Sequence, residues 1–245
     1  MSLGLVSATV IGALTAPLLG LSLRALRLLR ADPSRVAGLA PALGVTLRIT
    51  ALTVCFALPL GVAVAMWRTR LSRSRRLAST LGFAIEALAT LPGVVYGVAG
   101  ALVLMAMGVS ARGWFSGAVV LAAMSVPVAT VQAEEALGRV SRELETASTA
   151  LGASTGHTFL SVTLPEAARG LAAAALAIAS RAMAAGAPLV FTAGLEGPAR
   201  ALSVTIWQGW VHPSPGSRET ATLAAVLLLA MTSVTRLVAE RLRRV

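Results

Sequence analysis

The stretch Glu145–Gly170, ETASTALGASTGHTFLSVTLPEAARG, decides how this chain is read. It is the longest polar, turn-punctuated segment in a sequence that otherwise reads as hydrocarbon. Apolar residues make up 56% of the 245 positions and charged residues only 13%, with a mean hydropathy of +0.81. That is the composition of an integral membrane protein. A polar stretch of this length is then an excursion into water. Its mixed-charge lead-in, QAEEALGRVSREL, followed by a glycine and a Leu-Pro pair, makes it too structured for a linker.

Outward from this stretch lie six apolar runs: Leu3–Leu23, Pro41–Trp67, Leu81–Val109, Trp114–Ala133, Gly170–Thr192 and Ala221–Val238. Each is long enough to cross a hydrocarbon core of about 30 Å as a helix. The expected fold is all-α, a polytopic membrane bundle of six transmembrane helices forming one domain over residues 1–245. A cytoplasmic loop spans about residues 134–169. The first run has no basic residue before it and is longer than a signal-peptide core, so it is expected to stay as a membrane helix. Pro59, Pro92, Pro127 and Pro188 are expected as kinks within or at the ends of spans. Cys55, the single cysteine, rules out a disulfide within the chain and is expected as a small core side chain.

The net charge of +11 comes from arginine, because the chain contains no lysine. Most arginines cap apolar runs, which is a membrane topology signal and not a nucleic-acid footprint. Arg68–Arg76 and the tail with Arg236, Arg241, Arg243 and Arg244 are placed in the cytoplasm, so six spans put both termini inside. Arg24, Arg27, Arg30 and Arg35 then fall outside, against the usual bias. Without a lysine there is no P-loop, so the chain cannot hydrolyse ATP through one. His157 and His212 stand in separate loops with no cysteine or carboxylate partners in sequence, so no metal site is expected. No Ser-His-Asp arrangement or carboxylate pair is legible, so an intramembrane hydrolase is unsupported.

The loop resembles the cytoplasmic signature loop of bacterial ABC importer permeases: Glu-Ala-Ala, three residues, Gly, nine residues, Ile, one residue, Leu-Pro. Gly152 is followed at that spacing by Val162, Leu164 and Pro165. Thr146, Ala147 and Ser148 occupy the Glu-Ala-Ala positions, with Glu145 one residue early. A one-residue offset turns a helical side chain by about 100°. LPGVVYGVAG (Leu91–Gly100) and LAIASRAMAAGAPLVFTA (Leu176–Ala193) resemble stretches of phosphate importer permeases of the PstA type, although the family's acidic residue falls on Ala185.

This resemblance implies a type I ABC importer permease moving inorganic phosphate by alternating access in the bacterial cytoplasmic (inner) membrane. It implies a coupling helix around Glu145, Thr146 and Ala147 that docks on an ATPase, with Gly152 as the turn and Leu164-Pro165 ending the loop. The implied partners are a second homologous permease in a heterodimer, two ATP-binding subunits and a periplasmic or lipid-anchored phosphate-binding protein. ATP and Mg sit on the ATPase, and no cofactor sits on this chain. A permease for another oxyanion or small solute is the alternative within the superfamily; a channel or scaffold would not need such a loop.

Three polar residues lie inside apolar runs. Arg48 is expected to snorkel towards the interface, and Glu86 is expected as an interhelical pairing group. Arg181 falls in the middle of the fifth run, where a charge costs about 2.5–3.5 kcal/mol. It needs either an ion pair, with Glu86 or a partner subunit, or a place on the path of the transported anion.

Overall fold

The computed structural model describes residues 37–72, 74–193 and 200–244, together with 20, 21, 23, 24, 27 and 28. Among these residues every regular element is helical, as a bilayer requires when no water is present to satisfy backbone groups. The helices are α1 (Ala40–Met66), α2 (Arg75–Thr90), α3 (Gly93–Ala106), α4 (Trp114–Gly138), α5 (Arg142–Ala150), α6 (Thr155–Thr158), α7 (Leu164–Ala184), α8 (Ala187–Thr192), α9 (Leu202–Val211) and α10 (Ser217–Arg244). π-turns at Trp67–Leu71 and Phe159–Thr163 extend α1 and join α6 to α7.

Four stretches are long and apolar enough to cross a membrane: Ala40–Leu71, Trp114–Gly138, Thr155–Ala184 and Ser217–Arg243. The pair α2 and α3 makes a fifth if it counts as one span. The remaining expected span, Leu3–Leu23, lies outside the described residues apart from Gly20, Leu21 and Leu23. The described residues therefore carry four or five of the six expected spans.

Leu81–Val109, expected as one helix, is two helices bent by 101° between Thr90 and Gly93. Pro92 is the cause. It has no N–H to give the Leu88 carbonyl, and it drives Leu91 into extended backbone with ψ 137°. The Leu88 carbonyl accepts instead from the Leu91 amide at 3.2 Å and from the Tyr96 hydroxyl at 3.0 Å. What reads as a kink in sequence is a stapled corner.

The expected span Gly170–Thr192 also shifts. Its helix begins at Thr155, ends at Ala184, and breaks at Ala185 before the short α8. The Leu164-Pro165 pair therefore does not end the loop. It sits at the start of α7 inside a continuous span, where the preceding π-turn and the first-turn position make proline's missing N–H harmless. At the other side α4 runs on to Gly138, so the mixed-charge stretch that leads into the loop is helical at its start. Cys55 faces outward, not into the core.

The contacts gather the chain into two compact units, Met1–Thr46 with Leu195–Ala230, and Leu47–Gly194 with Met231–Val245. In the larger unit α4 is the central helix, packed against α7, α2, α3 and α8. The packing uses small residues, as expected where lipid offers no hydrophobic drive between helices. A Cβ on Gly61 would stand 2.6 Å from that of Ala129, and one on Gly97 would stand 2.8 Å from Pro188 Cα. Replacing Gly61 with valine is expected to cost about 1–3 kcal/mol from overpacking. The check is a lowered Tm and yield of the detergent-solubilised complex, measured against Gly44→Val, where nothing stands within 4 Å.

In the smaller unit, the Thr46 hydroxyl accepts from the Leu202 amide at 2.9 Å and donates to the Ala42 carbonyl at 2.8 Å, fixing the start of α9 on α1. Arg24 and Arg27 line a cleft of about 520 Å³ with Trp210, Arg218 and Glu219. They stand at the N-terminal end of α10, opposite the end that carries Arg241 and Arg243.

Candidate functional site

The loop between α4 and α7 is built from local capping signals. Ser141 caps α5 by accepting from the Glu143 amide at 3.2 Å, and Glu143 and Glu145 sit in the first turn where the helix dipole favours carboxylates. At the other end, Gly152 adopts φ +89°. Its amide bonds the Thr149 carbonyl at 2.9 Å and the Ala153 amide bonds the Ser148 carbonyl at 3.3 Å. This is the double bond of a Schellman stop, and a left-handed residue is required there. Ser154 then caps α6 through the His157 amide, and the Ser148 and Thr158 hydroxyls meet at 2.9 Å across the turn.

Glu145 does not point away from the membrane helices. Its carboxylate accepts from Arg70 Nε, 3.1 Å from each oxygen, and from the Thr163 hydroxyl at 3.0 Å. Arg70 also donates to the Leu137 carbonyl near the end of α4 at 3.1 Å. Both charged side chains are largely enclosed, at 15% and 18% exposure. The Arg70–Glu145 pair thus ties together the end of the first described span, the end of α4, the loop helix α5 and the first third of the Thr155–Ala184 stretch. An apolar cluster underlies it: Ala65, Ala133, Leu137, Phe159, Ala167 and Leu171 are buried, with Leu164 packed against them.

The remaining loop residues of the sequence pattern divide by role. Thr146 occupies the usual acidic position; it is exposed, and its hydroxyl bonds the Arg142 carbonyl at 2.8 Å. Ala147 is exposed, Val162 is half-buried and Pro165 is exposed. Three leucines stand out among the polar exposed residues of the loop: Leu151 is 90% exposed, with Leu160 at 64% and Leu144 at 47%. Sequence reasoning missed these leucines and Arg70. An unsupported leucine just before the glycine was the available signal for Leu151, whereas the Arg70–Glu145 pair spans 75 residues with no pattern to announce it.

Arg181 lies in the last turn of α7, close to the end of the Thr155–Ala184 stretch and not at its middle as the apolar run suggested, and it is exposed. Its neighbour Ser180 is buried, donating to the Thr232 carbonyl on α10 at 3.2 Å and facing Arg236 Nε at 3.3 Å. The Arg181 charge reaches the Tyr96 hydroxyl electrostatically. Among the described residues Arg181 forms no ion pair, so no bridge to Glu86 is present. Glu86 is exposed on α2, and its field acts on Glu134, which pairs with Arg68 at 2.6 Å. Arg48 is exposed on α1, as snorkelling requires. His157 Nε2 lies 3.3 Å from the Ser161 hydroxyl, and His212 packs edge-on against Trp207.

A bundle of apolar helices with a capped, turn-stabilised loop set on the ends of its spans defines a membrane transport component. Residues 57–244 match the family model of the binding-protein-dependent transport system inner membrane component, and the chain belongs to that family. It is 32% identical over 168 residues to the probable ABC transporter permease protein YqgI of Bacillus subtilis, covering 67% of this chain and 55% of that one. It is 30% identical over 156 residues to the phosphate transport system permease protein PstA homolog of Mycoplasma pneumoniae, covering 61% and 24%. A third relative is the phosphate transport system permease protein PstA 2 of Mycobacterium bovis, 29% identical over 161 residues, covering 62% and 54%. The resemblance to PstA-type permeases seen in the sequence is thus matched by relatives that carry that name. The chain spans about half the length of YqgI and PstA 2 and about a quarter of the Mycoplasma protein.

Among solved structures, a bacterial ABC transporter involved in import of the acidic polysaccharide alginate aligns with a TM-score of 0.72 at 15% identity, covering 99% of this chain and 94% of that one. The inward-facing MetNI methionine ABC transporter aligns at 0.66 with 23% identity, covering 85% and 94%. At these identities the likeness is one of fold, and it is the fold of ABC importer permeases.

Proposed function

We propose that this chain is one permease subunit of an ATP-driven importer for inorganic phosphate, working by alternating access in the cytoplasmic membrane. The observation that carries the reading is the loop at Gly152. Its Schellman turn presents Leu144, Leu151 and Leu160 to water, while Arg70, Glu145 and Thr163 tie its base to the membrane helices. An apolar knob on a braced base suits docking into a groove of a nucleotide-binding subunit, whose closure then moves the spans. Phosphate as cargo is supported by the relatives named as phosphate permeases and by Arg181, whose planar guanidinium suits a tetrahedral oxyanion.

The complete assembly then holds this chain with a second, homologous permease, two ATPase subunits and a periplasmic or lipid-anchored phosphate-binding protein. ATP and Mg sit on the ATPase. The exposed outer face of α3, with Val94, Val98, Leu102 and Met105, and the exposed Arg181 leave surface for the second permease and a shared path. Import of a different solute is the second reading, supported by the methionine and alginate systems among the structural likenesses. Reconstitution tests the proposal: purified with its genomic neighbours in proteoliposomes, the chain is expected to give ATP-dependent phosphate uptake that needs the binding protein. Uptake of another solute to the exclusion of phosphate selects the second reading.

Gly152 is the sharpest test of the loop. Valine at φ +89° is strained whatever space surrounds it. Gly152→Val is expected to cut uptake per ATP hydrolysed by about tenfold or more while membrane insertion is retained. Uptake and hydrolysis are measured together on the same proteoliposomes, and an unchanged ratio marks the segment as a passive loop.

A further inference from the structure

We infer that the tail-side ends of α4, α7 and α10 form a binding site for a phosphate-ester anion, occupied in the membrane by the headgroup of an anionic phospholipid. Arg139, Arg169 and Arg243, contributed by three segments far apart in sequence, line one cavity of about 290 Å³. Its floor is apolar and sealed: Ala136 and Ala167 are buried, and Gly170 brings its helix so close that a Cβ there would stand 2.8 Å from that of Ala136.

The cavity is undercompensated in charge. Arg139 pairs with Glu135 at 2.7 Å and also donates to the Arg243 carbonyl at 3.3 Å. Among the described residues the Arg243 side chain has only a long bond of 3.4 Å to the Gln132 amide oxygen. Arg169 makes no hydrogen bond or ion pair among the described residues. Counting Glu166, which also lines the cavity, and Glu135, three guanidinium groups face two carboxylates. An anion with several acceptor oxygens relieves that excess, and arginine's fixed fork of donors matches phosphate oxygens in pairs.

Size and position favour a headgroup over a bare ion. The volume corresponds to roughly ten waters at about 30 Å³ each, room for a phosphodiester with its polar substituent. Glu166 can accept from a headgroup hydroxyl, as on glycerol. The site lies where α4 ends, α7 begins and the arginine-rich end of α10 meets them, and basic pockets between helices meet anionic lipid at high local concentration.

The test uses the intact transporter complex in nanodiscs of phosphatidylcholine with or without phosphatidylglycerol. Retained phosphatidylglycerol is counted by native mass spectrometry after a detergent wash. The Arg169→Gln/Arg243→Gln variant is compared with wild type and with Arg75→Gln/Arg76→Gln, which removes two exposed arginines elsewhere. At about fivefold per arginine, the first variant is expected to lose at least tenfold in retention, with the control unchanged. Equal retention in all three overturns the lipid occupant. In a second arm, millimolar inorganic phosphate is added in pure phosphatidylcholine. A rise in Tm seen in wild type and lost in the Arg169/Arg243 variant keeps the anion site but assigns it to free phosphate, whereas no response in either arm removes the site altogether.

Discussion

Replacing Arg181 with alanine is expected to abolish phosphate uptake while the complex still assembles. Arg181 is exposed on α7 and has no ion-pair partner among the described residues. It sits in the last turn of α7, where the helix breaks at Ala185, and a charge among membrane helices is kept where a partner subunit, a wet cavity or a passing anion compensates it. Ala185, four residues on, stands where the PstA pattern has an acid, so no carboxylate one turn away competes for the guanidinium. Ser180 beside it is already committed to α10, which fixes the local backbone and leaves the charge to face outward. Binding at such a point has to be weak, since a tight site would hold phosphate midway. Arg181→Lys keeps the charge and loses the paired donors, so partial uptake is expected. Radiolabelled phosphate uptake in proteoliposomes reads all three forms. Wild-type rates for the alanine variant remove Arg181 from the path, and failure of that variant to assemble assigns it to an ion pair with the second permease.

The second large effect is expected at Arg70 and Glu145. Removing one partner of an enclosed pair leaves the other charge desolvated and unpaired, and hydrogen bonds to charged groups are worth about 1.5–3 kcal/mol each. Arg70→Gln gives up bonds to both Glu145 oxygens and to the Leu137 carbonyl. The apolar cluster around Leu137 and Phe159 still holds the loop near the bundle, so the fold is expected to persist. What is lost is stiffness between the docking surface and the spans. ATP hydrolysis is therefore expected to continue while phosphate moved per ATP falls about tenfold. The reversed pair, Arg70→Glu with Glu145→Arg, is expected to recover part of that ratio. If each single variant keeps the wild-type ratio, the pair is a passive brace.

Much of this was legible in the sequence because the signals were local. Apolar runs gave the spans, and Gly152 at its spacing gave the turn, since a glycine ending a helix carries its own backbone reason. The offset of Glu145 was visible, but its consequence was not. A rotation of about 100° says that the carboxylate leaves its usual face. The acceptor role it takes up instead depends on Arg70 and Thr163, brought in from two other helices. Pro92 was visible as a break, whereas the corner of 101° and the Tyr96 hydroxyl that joins the Leu91 amide on the Leu88 carbonyl were not. Helix ends were the least legible feature. Leu164-Pro165 reads as a stop, yet proline is accommodated just after a π-turn, and the helix runs through.

The most direct test of the account is phosphate uptake by the complete reconstituted complex, with ATP inside the vesicles and the binding protein outside. The account predicts uptake that requires this chain, the second permease, the ATPase and the binding protein together, and that is lost in Arg181→Ala with assembly intact. ATP hydrolysis by this chain alone, or phosphate uptake that persists without the ATPase, would contradict it.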